Sequence, residues 1–334
     1  MPDRGCYIVT GGAGFLGSNL VAALVKQDAG ADVIVVDDLR GGSYLNLVDA
    51  FERASLPPFA GRFIAKPLEE FDAAHLLATR GLRAVFHMAS TRGDGVAEGE
   101  VIRGNVGAFE PLATACVQMG MPLIYASSAA VYGAPPQAGQ RKPYPLDAAG
   151  RPRSALGAAK CIMEGLQSRI SGRTALGAPH VVGLRFFDVF GPGEGRKGSG
   201  ASMVRDLAAA MLERKPTRLP SDSTISHDLV YVDDAVAATL AGLGIGTAVR
   251  PRPGVYNVGS GVSTTYGQVL AVLRDEFGLT ESSLPAVSEG PATGPAFMQA
   301  DLSATASGLG WKPAWNPIEA IRAYARWMKD RQSP

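Results

Sequence analysis

Thr10-Gly11-Gly12-Ala13-Gly14-Phe15-Leu16-Gly17 follows a short apolar run, Cys6–Thr10, and leads into a helical pattern from Leu16 to Gln27. A buried strand, a glycine turn and a helix start, in that order, form the entry to a nucleotide-binding βαβ unit. The glycines at 11, 14 and 17 let the backbone turn sharply and come close to a pyrophosphate. The helix that follows offers its free N–H groups and positive dipole end to the anion.

The same alternation continues outward from this stretch. Val33–Asp37, Phe63–Ala65, Ala84–Met88, Leu123–Ser127 and Val181–Phe186 read as short apolar strands. Asp72–Thr79, Val106–Met119 and Ala155–Ser171 read as helices between them. Apolar strands alternating with helices predict a parallel sheet covered on both faces. The expected fold class is therefore α/β, a Rossmann-type doubly wound parallel sheet with a smaller C-terminal α/β substrate unit. The later chain is less regular. It has helical patterns at Met203–Arg214, Tyr266–Phe277 and Ile318–Lys329, and extended runs at Leu229–Val232 and Val255–Val258. Gly191–Gly200, Gly244–Gly254 and Ser282–Pro295 read as loops. The expected division is a dinucleotide-binding domain over 1–173 and a smaller substrate domain over 174–334, with some later segments returning to the first.

Composition narrows the function classes. With 46% hydrophobic residues, 19% charged residues and a net charge of +1 over 334 residues, the bulk of the chain is expected to fold. The balanced charge argues against nucleic-acid binding, which runs on a basic excess. Cys6, Cys116 and Cys161 show no C-x-x-C spacing, so neither a disulfide framework nor a zinc site is expected. All three read as small buried hydrophobes. No bilayer-length apolar stretch and no signal peptide are visible, and a cytoplasmic protein with no membrane partner is expected.

Asp37 lies 20 residues beyond Gly17 and is followed by Asp38, where a carboxylate can accept from the hydroxyls of an adenosine ribose. A carboxylate there repels a 2′-phosphate, so NAD is favoured as cofactor. Arg40 and Ser43 leave NADP open.

Tyr125-Ala126-Ser127-Ser128-Ala129-Ala130-Val131-Tyr132-Gly133 resembles a segment of the extended short-chain dehydrogenase/reductases that act on nucleotide sugars. Val35–Arg40 with Asn46–Asp49, Arg185–Ser199 and Phe297–Leu302 narrow the resemblance to the ADP-glycero-manno-heptose 6-epimerases, and the stretch Glu194-Gly195-Arg196-Lys197-Gly198-Ser199 is the most specific of them. The resemblance implies transient oxidation and re-reduction of an ADP-linked heptose, or a close relative, by a bound nicotinamide cofactor, in a homo-oligomer packed through Val106–Met119 and Ala155–Ser171. It implies a catalytic Ser128 and a Lys160 that holds the nicotinamide ribose. It implies a second acid/base at Lys197, unless Lys197 and Arg196 only clamp a phosphate. Gly11, Gly14, Phe15, Leu16, Gly17, Asp37, Asp38, Arg40, Met88, Ala89, Ser90 and Asn105 are the residues expected along the cofactor. Ser128, Asp188, Arg196, Lys197, Ser199, His227 and Gln299 are those expected along the substrate.

The chain departs from that pattern at the chemistry. The position four residues before Lys160, where the resemblance implies a proton-carrying tyrosine, holds Leu156. Asp188 stands where an asparagine is usual, His227 where an arginine is usual, and Thr293 near a missing arginine. Several readings follow. The proton is carried by Lys197, Ser128, Asp188 or another tyrosine such as Tyr132 or Tyr144; or the chemistry is shifted to another carbon or to net oxidation; or the chain binds nucleotide sugar or NAD without turnover. Asp188 reads either as a strand-end acid or as a base facing the sugar. His227 reads as a diphosphate contact, as a surface residue, or as an acid/base oriented by Asp228. His75, His87 and His180 read as structural.

Overall fold

The computed structural model describes residues 5–331 apart from 29, 93–94, 134–140, 172–179, 221, 223, 281–286 and 291–294. Its strands are β1 (Cys6–Thr10), β2 (Asp32–Val36), β3 (Arg62–Ile64), β4 (Leu82–His87), β5 (Leu123–Ser128), β6 (Val181–Phe186), β7 (Asp188–Phe190), β8 (Thr217–Pro220), β9 (Ser226–Tyr231), β10 (Gly254–Val258), β11 (Ser263–Thr265) and β12 (Val287–Gly290). Its helices are α1 (Phe15–Gln27), α2 (Tyr44–Arg53), α3 (Ala73–Leu77), α4 (Glu98–Gln118), α5 (Ala155–Ser171), α6 (Met203–Leu212), α7 (Val232–Ala241), α8 (Tyr266–Phe277), α9 (Ser303–Leu309) and α10 (Pro317–Asp330).

Among the described residues the main sheet has seven strands in the order β10-β6-β5-β4-β1-β2-β3, and every pairing in it is parallel. A parallel sheet is buried on both faces, and alternate residues of β1 feed opposite layers. Tyr7 and Val9 pack with α1, α2 and α7. Cys6 and Ile8 pack with α3, α4 and α5. The fold is thus the doubly wound α/β sheet. Its topological switch lies between β1 and β4, where ligands bind beyond the carboxyl ends of the strands. β6 and β10, both beyond residue 173, complete this sheet.

One residue, Phe187, separates β6 from β7. Its N–H donates to the Val258 carbonyl at 2.9 Å, and the chain passes directly into a smaller three-stranded sheet, β11-β9-β7. That sheet packs Phe190, Leu229 and Tyr231 against α6, α8 and α10. The junction places the start of β7 beside the end of β5, because Phe186 is in register with Ser128.

Some elements differ from their sequence reading. The helix read from Val106 begins at Glu98. Gly99, Gly104 and Gly107 blur its periodicity, whereas the acidic first turn, Glu98 and Glu100, suits the helix dipole. The helix read over Asp72–Thr79 spans Ala73–Leu77, with Asp72 capping it by accepting from the Ala74 N–H. Within Ser282–Pro295, read as a loop, Val287–Gly290 pairs in parallel with Thr217–Pro220. A four-residue strand containing Ser, Glu and Gly carries too little pattern to register. Cys161 is only half-buried, unlike Cys6 and Cys116. No helix among the described residues is long and apolar enough to cross a membrane.

Candidate active site

A cleft of ≈ 1870 Å³ runs from the β1 turn across the ends of β4, β5 and β6 to the small sheet. At one end lies the glycine turn. Gly11 has φ +67, and a Cβ there would sit 2.5 Å from the Ala89 backbone nitrogen. A Cβ at Gly17 would sit 2.1 Å from the Gly11 carbonyl. Only glycine lets α1 start this close to the strand ends. No side chain caps α1 and no acid lies in its first turn, so its leading N–H groups are left for a ligand. Gly11, Gly14, Phe15, Leu16 and Gly17 all line the cleft.

Asp37 pins this turn to the end of β2, accepting from the Ala13 N–H at 2.9 Å and the Leu39 N–H at 2.8 Å. Burial raises its pKa, partly offset by those two bonds. Asp38 holds Arg40 through Nε at 2.6 Å and Nη2 at 2.5 Å, and Glu69 lies 3.9 Å from the same guanidinium. Met88, Ala89 and Ser90 line the cleft after β4. Asn105 does not. It is buried and donates to the Thr91 and Val101 carbonyls, at 2.8 Å each, while accepting from the Ser90 hydroxyl at 2.9 Å. It shapes the loop that faces the cleft.

Deeper in the cleft, α5 presents Leu156 and, one turn on, Lys160. Lys160 is 2% exposed, and its Nζ has no hydrogen-bond partner among the described residues. Burial lowers its pKa to about 7, with Glu164 pulling the other way. His87, bonded to the Thr10 hydroxyl at 2.8 Å, is pushed down to about 3 by burial and by Lys160, and is neutral. A buried amino group with nothing to bond, opening on a cleft with a glycine cradle at its other end, fits a dinucleotide whose ribose hydroxyls would supply the missing acceptors. Ser128 also lines the cleft, its oxygen accepting from the Ala130 N–H at 3.1 Å.

Neither tyrosine considered from sequence reaches this space. Tyr132 is buried between Asn257, at 2.6 Å, and Arg185, at 2.9 Å. Tyr144 is buried against the Phe297 carbonyl at 3.4 Å. Tyr266, at the start of α8, is the tyrosine that lines the cleft among the described residues. Burial, with Asp188 nearby, raises its pKa.

The far wall carries the charged groups. Lys197 stands 3.9 Å from the buried Glu194 carboxylate and 4.7 Å over the Phe15 ring. Burial lowers its pKa to about 8, against the pull of Glu194. Glu194 had no role assigned from sequence. It accepts from the Gly191 N–H at 3.0 Å, the Ser202 N–H at 2.8 Å and the Ser202 hydroxyl at 2.9 Å, and so fixes the turn bearing Lys197. Arg196 points elsewhere, to Asp49 at 2.5 Å and Asn46 at 3.1 Å on α2, and does not line the cleft. Gln299, which donates to the Gly261 carbonyl at 2.8 Å, does not line it either. The Ser199 side chain and Thr293 lie outside the described residues.

His227 and Asp188 both line the cleft, and they meet, Nδ1 to Oδ2 at 2.8 Å. The pairing of His227 with Asp228, one of the alternatives read from sequence, does not form. Asp228 turns away and accepts from the N–H groups of Ser260, Gly261 and Ala300 and from the Ser260 hydroxyl. His227 Nε2 lies 3.0 Å from the Pro295 carbonyl. Burial opposes a charge on His227, but Asp188 and this carbonyl outweigh it and raise the pKa. No cluster of three or more His, Cys, Asp or Glu side chains is placed to hold a metal ion among the described residues.

Known proteins resemble the chain over most of its length. Residues 7–259 match the NAD dependent epimerase/dehydratase family. The chain is 33% identical, over 95% of each chain, to the ADP-L-glycero-D-manno-heptose-6-epimerase of Alkalilimnicola ehrlichii, and 33% identical to that of Pseudomonas paraeruginosa over 80% of this chain and 77% of the relative. Among solved structures it is similar to the Helicobacter pylori ADP-L-glycero-D-manno-heptose-6-epimerase, with TM-score 0.81, 26% identity and coverage of 98% and 97% of the two chains. It is also similar to MoeE5 in complex with UDP-glucuronic acid and NAD, with TM-score 0.79, 28% identity and coverage of 98% and 100%.

Proposed function

The chain belongs to the NAD dependent epimerase/dehydratase family, and from that premise we propose that it epimerises an ADP-linked heptose, or a close relative, by transient oxidation and re-reduction of one sugar carbon. The bound cofactor supplies the hydride acceptor and donor. The observation that carries this reading is the shared cleft. The glycine turn, the unpartnered Lys160 amino group and Lys197, whose pKa burial lowers to about 8, all open on it.

Gly11, Gly14 and Gly17 would hold the pyrophosphate, and Asp37 the adenosine ribose. Lys160 would hold the nicotinamide ribose. NAD is preferred to NADP in this reading, because Asp37, Asp38 and Glu69 surround the ribose end while Arg40 is already engaged by Asp38. Inversion at one carbon needs proton exchange as each face of the carbonyl is presented. Lys197 can both give and take a proton near neutrality, since its pKa of about 8 lies close to working pH.

The test is proton NMR of ADP-D-glycero-manno-heptose incubated with the pure protein, with Lys197→Ala run in parallel. The C6 epimer should accumulate with the wild type and form on the order of 10²-fold more slowly with the variant. A wild-type protein that leaves the heptose unchanged, and carries no nicotinamide nucleotide, would refute the reading. Cofactor-loaded protein that inverts a different carbon would move the substrate and keep the cofactor assignment.

A further inference from the structure

We propose that Asp188, held by His227, takes the substrate hydroxyl proton in this chain, in the role that a tyrosine at position 156 would otherwise fill. The inference rests on the epimerase reading above. It starts from elimination within the cleft. Leu156 has no titratable atom, Tyr132 and Tyr144 are buried elsewhere, and Tyr266 is held in its neutral form by burial. Among the other titratable groups that line the cleft, Asp188 is the acid that stands two residues beyond Phe186, the register partner of Ser128.

Asp188 is built for a cleft-facing task. Its side chain is 53% exposed while the His227 side chain is 14% exposed. Oδ2 is taken by His227, and Oδ1 has no hydrogen bond among the described residues. On the other side the His227 ring has an acceptor at each nitrogen, Asp188 Oδ2 and the Pro295 carbonyl. With Asp188 as a carboxylate, both contacts are satisfied at once only when both nitrogens carry protons. In that state the ring is an imidazolium clamped between two oxygens, the state that Asp188 and the Pro295 carbonyl favour, and it fixes one carboxylate oxygen so that the other faces the ligand. The other charged or titratable groups that act on this spot are Lys197, from the turn after β7, and Tyr266, from α8.

Two departures from the family pattern, an acid at 188 and a histidine at 227, touch each other. A carboxylate in place of a neutral amide would otherwise sit unpaired beside the substrate. In the step itself the sugar O–H bond breaks and its proton passes to Asp188 Oδ1. The hydrogen on the carbon leaves with its electron pair for the nicotinamide dinucleotide, and the C=O bond forms. The return step gives the hydride back to the carbon and re-forms the O–H bond with one proton, from Asp188 or from Lys197; when Lys197 supplies it, Asp188 releases its proton to water and Lys197 takes one up, which restores both groups. His227 is a positioning residue, since it acts through Asp188.

The test uses the cofactor-loaded wild type, Asp188→Asn and His227→Gln. Asp188→Asn keeps the shape of the side chain, so NAD retention should match the wild type, with only a small fall in melting temperature from the lost ion pair. Its kcat on ADP-D-glycero-manno-heptose should fall at least about 100-fold with KM within about threefold, and His227→Gln should lower kcat about tenfold. A second readout needs no turnover. Long-range proton–nitrogen NMR should show His227 protonated on both nitrogens at pH 7 in the wild type, and its pKa should drop in Asp188→Asn. An active wild type whose Asp188→Asn variant keeps kcat within threefold overturns this inference alone, as does a neutral His227 in the wild type. A wild type inactive on nucleotide sugars overturns this inference together with the epimerase reading.

Discussion

Lys160 presents the sharpest conflict between stability and ligand binding. An amino group with no partner, on a side chain 2% exposed, destabilises the empty fold whenever it is charged. Its pKa is about 7 in the folded chain against an ordinary 10.5, so between those values the unfolded chain holds the extra proton and stability rises with pH. Lys160→Met should therefore melt higher than the wild type without cofactor. The gain should be largest below pH 7 and shrink towards pH 10.5, read by differential scanning fluorimetry. The same variant should lose NAD affinity at least tenfold by calorimetry. A variant that melts lower at pH 6 would contradict the buried, unpaired charge.

Lys160 was legible through the family resemblance, which implies a lysine at a fixed offset on one helix, and the structure brings that side chain to the cleft. The partner of His227 was not. Sequence neighbours suggested Asp228, but successive residues in a strand point to opposite faces. With His227 facing the cleft, Asp228 had to face the loops at 260, 261 and 300. Its partner came from 39 residues away, through the parallel pairing of β7 with β9, a register that no local pattern encodes. Arg196 and Lys197 diverge in the same way, one to α2 and one to the cleft.

In the proposed reading, the β2–α2 element decides between NAD and NADP. Asp37 spends two acceptor positions on holding the glycine turn and the next backbone turn, and Asp38 keeps Arg40 folded back on itself. Isothermal titration should show NAD binding at least about tenfold tighter than NADP. Asp38→Ser should free the guanidinium and narrow the gap several-fold, chiefly by strengthening NADP. An unchanged ratio would mean that Arg40 does not face the 2′ position. Elements with long apolar strands or clear helix periodicity, such as β1, β6 and α8, were readable from sequence. β7, β11 and β12, of three or four residues each, were not, because their pairing partners define them more than their own composition.

At the scale of the whole molecule one buried network ties the sheet to the substrate side. Arg185 on β6 makes a two-pronged bond to Glu164 on α5, Nε to Oε1 at 2.9 Å and Nη2 to Oε2 at 2.8 Å. Ser127 donates to the same acid at 2.6 Å. Through Tyr132 the network reaches Asn257, which donates to the Tyr144 and Asp301 carbonyls. Burial disfavours the charge on Arg185, yet Glu164 and Tyr132 raise its pKa overall, so it stays ionised. Arg185→Met leaves Glu164 as an unpaired, nearly buried carboxylate and should cost about 3–5 kcal/mol in urea unfolding. The double variant Arg185→Met/Glu164→Gln should recover part of that loss, since it removes the stranded charge along with its partner.

The strand order also sets a timetable for synthesis. β6 ends at Phe186, and β10, its neighbour on the open side, begins only at Gly254. At a ribosomal rate of about 5–20 residues per second, the stretch 187–253 takes roughly 3–13 s to make. For those seconds the newborn sheet shows the surroundings a bare, almost wholly apolar strand, Val-Val-Gly-Leu-Arg-Phe, whose open edge can recruit any extended neighbour. The yield of this protein in a crowded cell is therefore expected to depend on how quickly the ribosome crosses that interval.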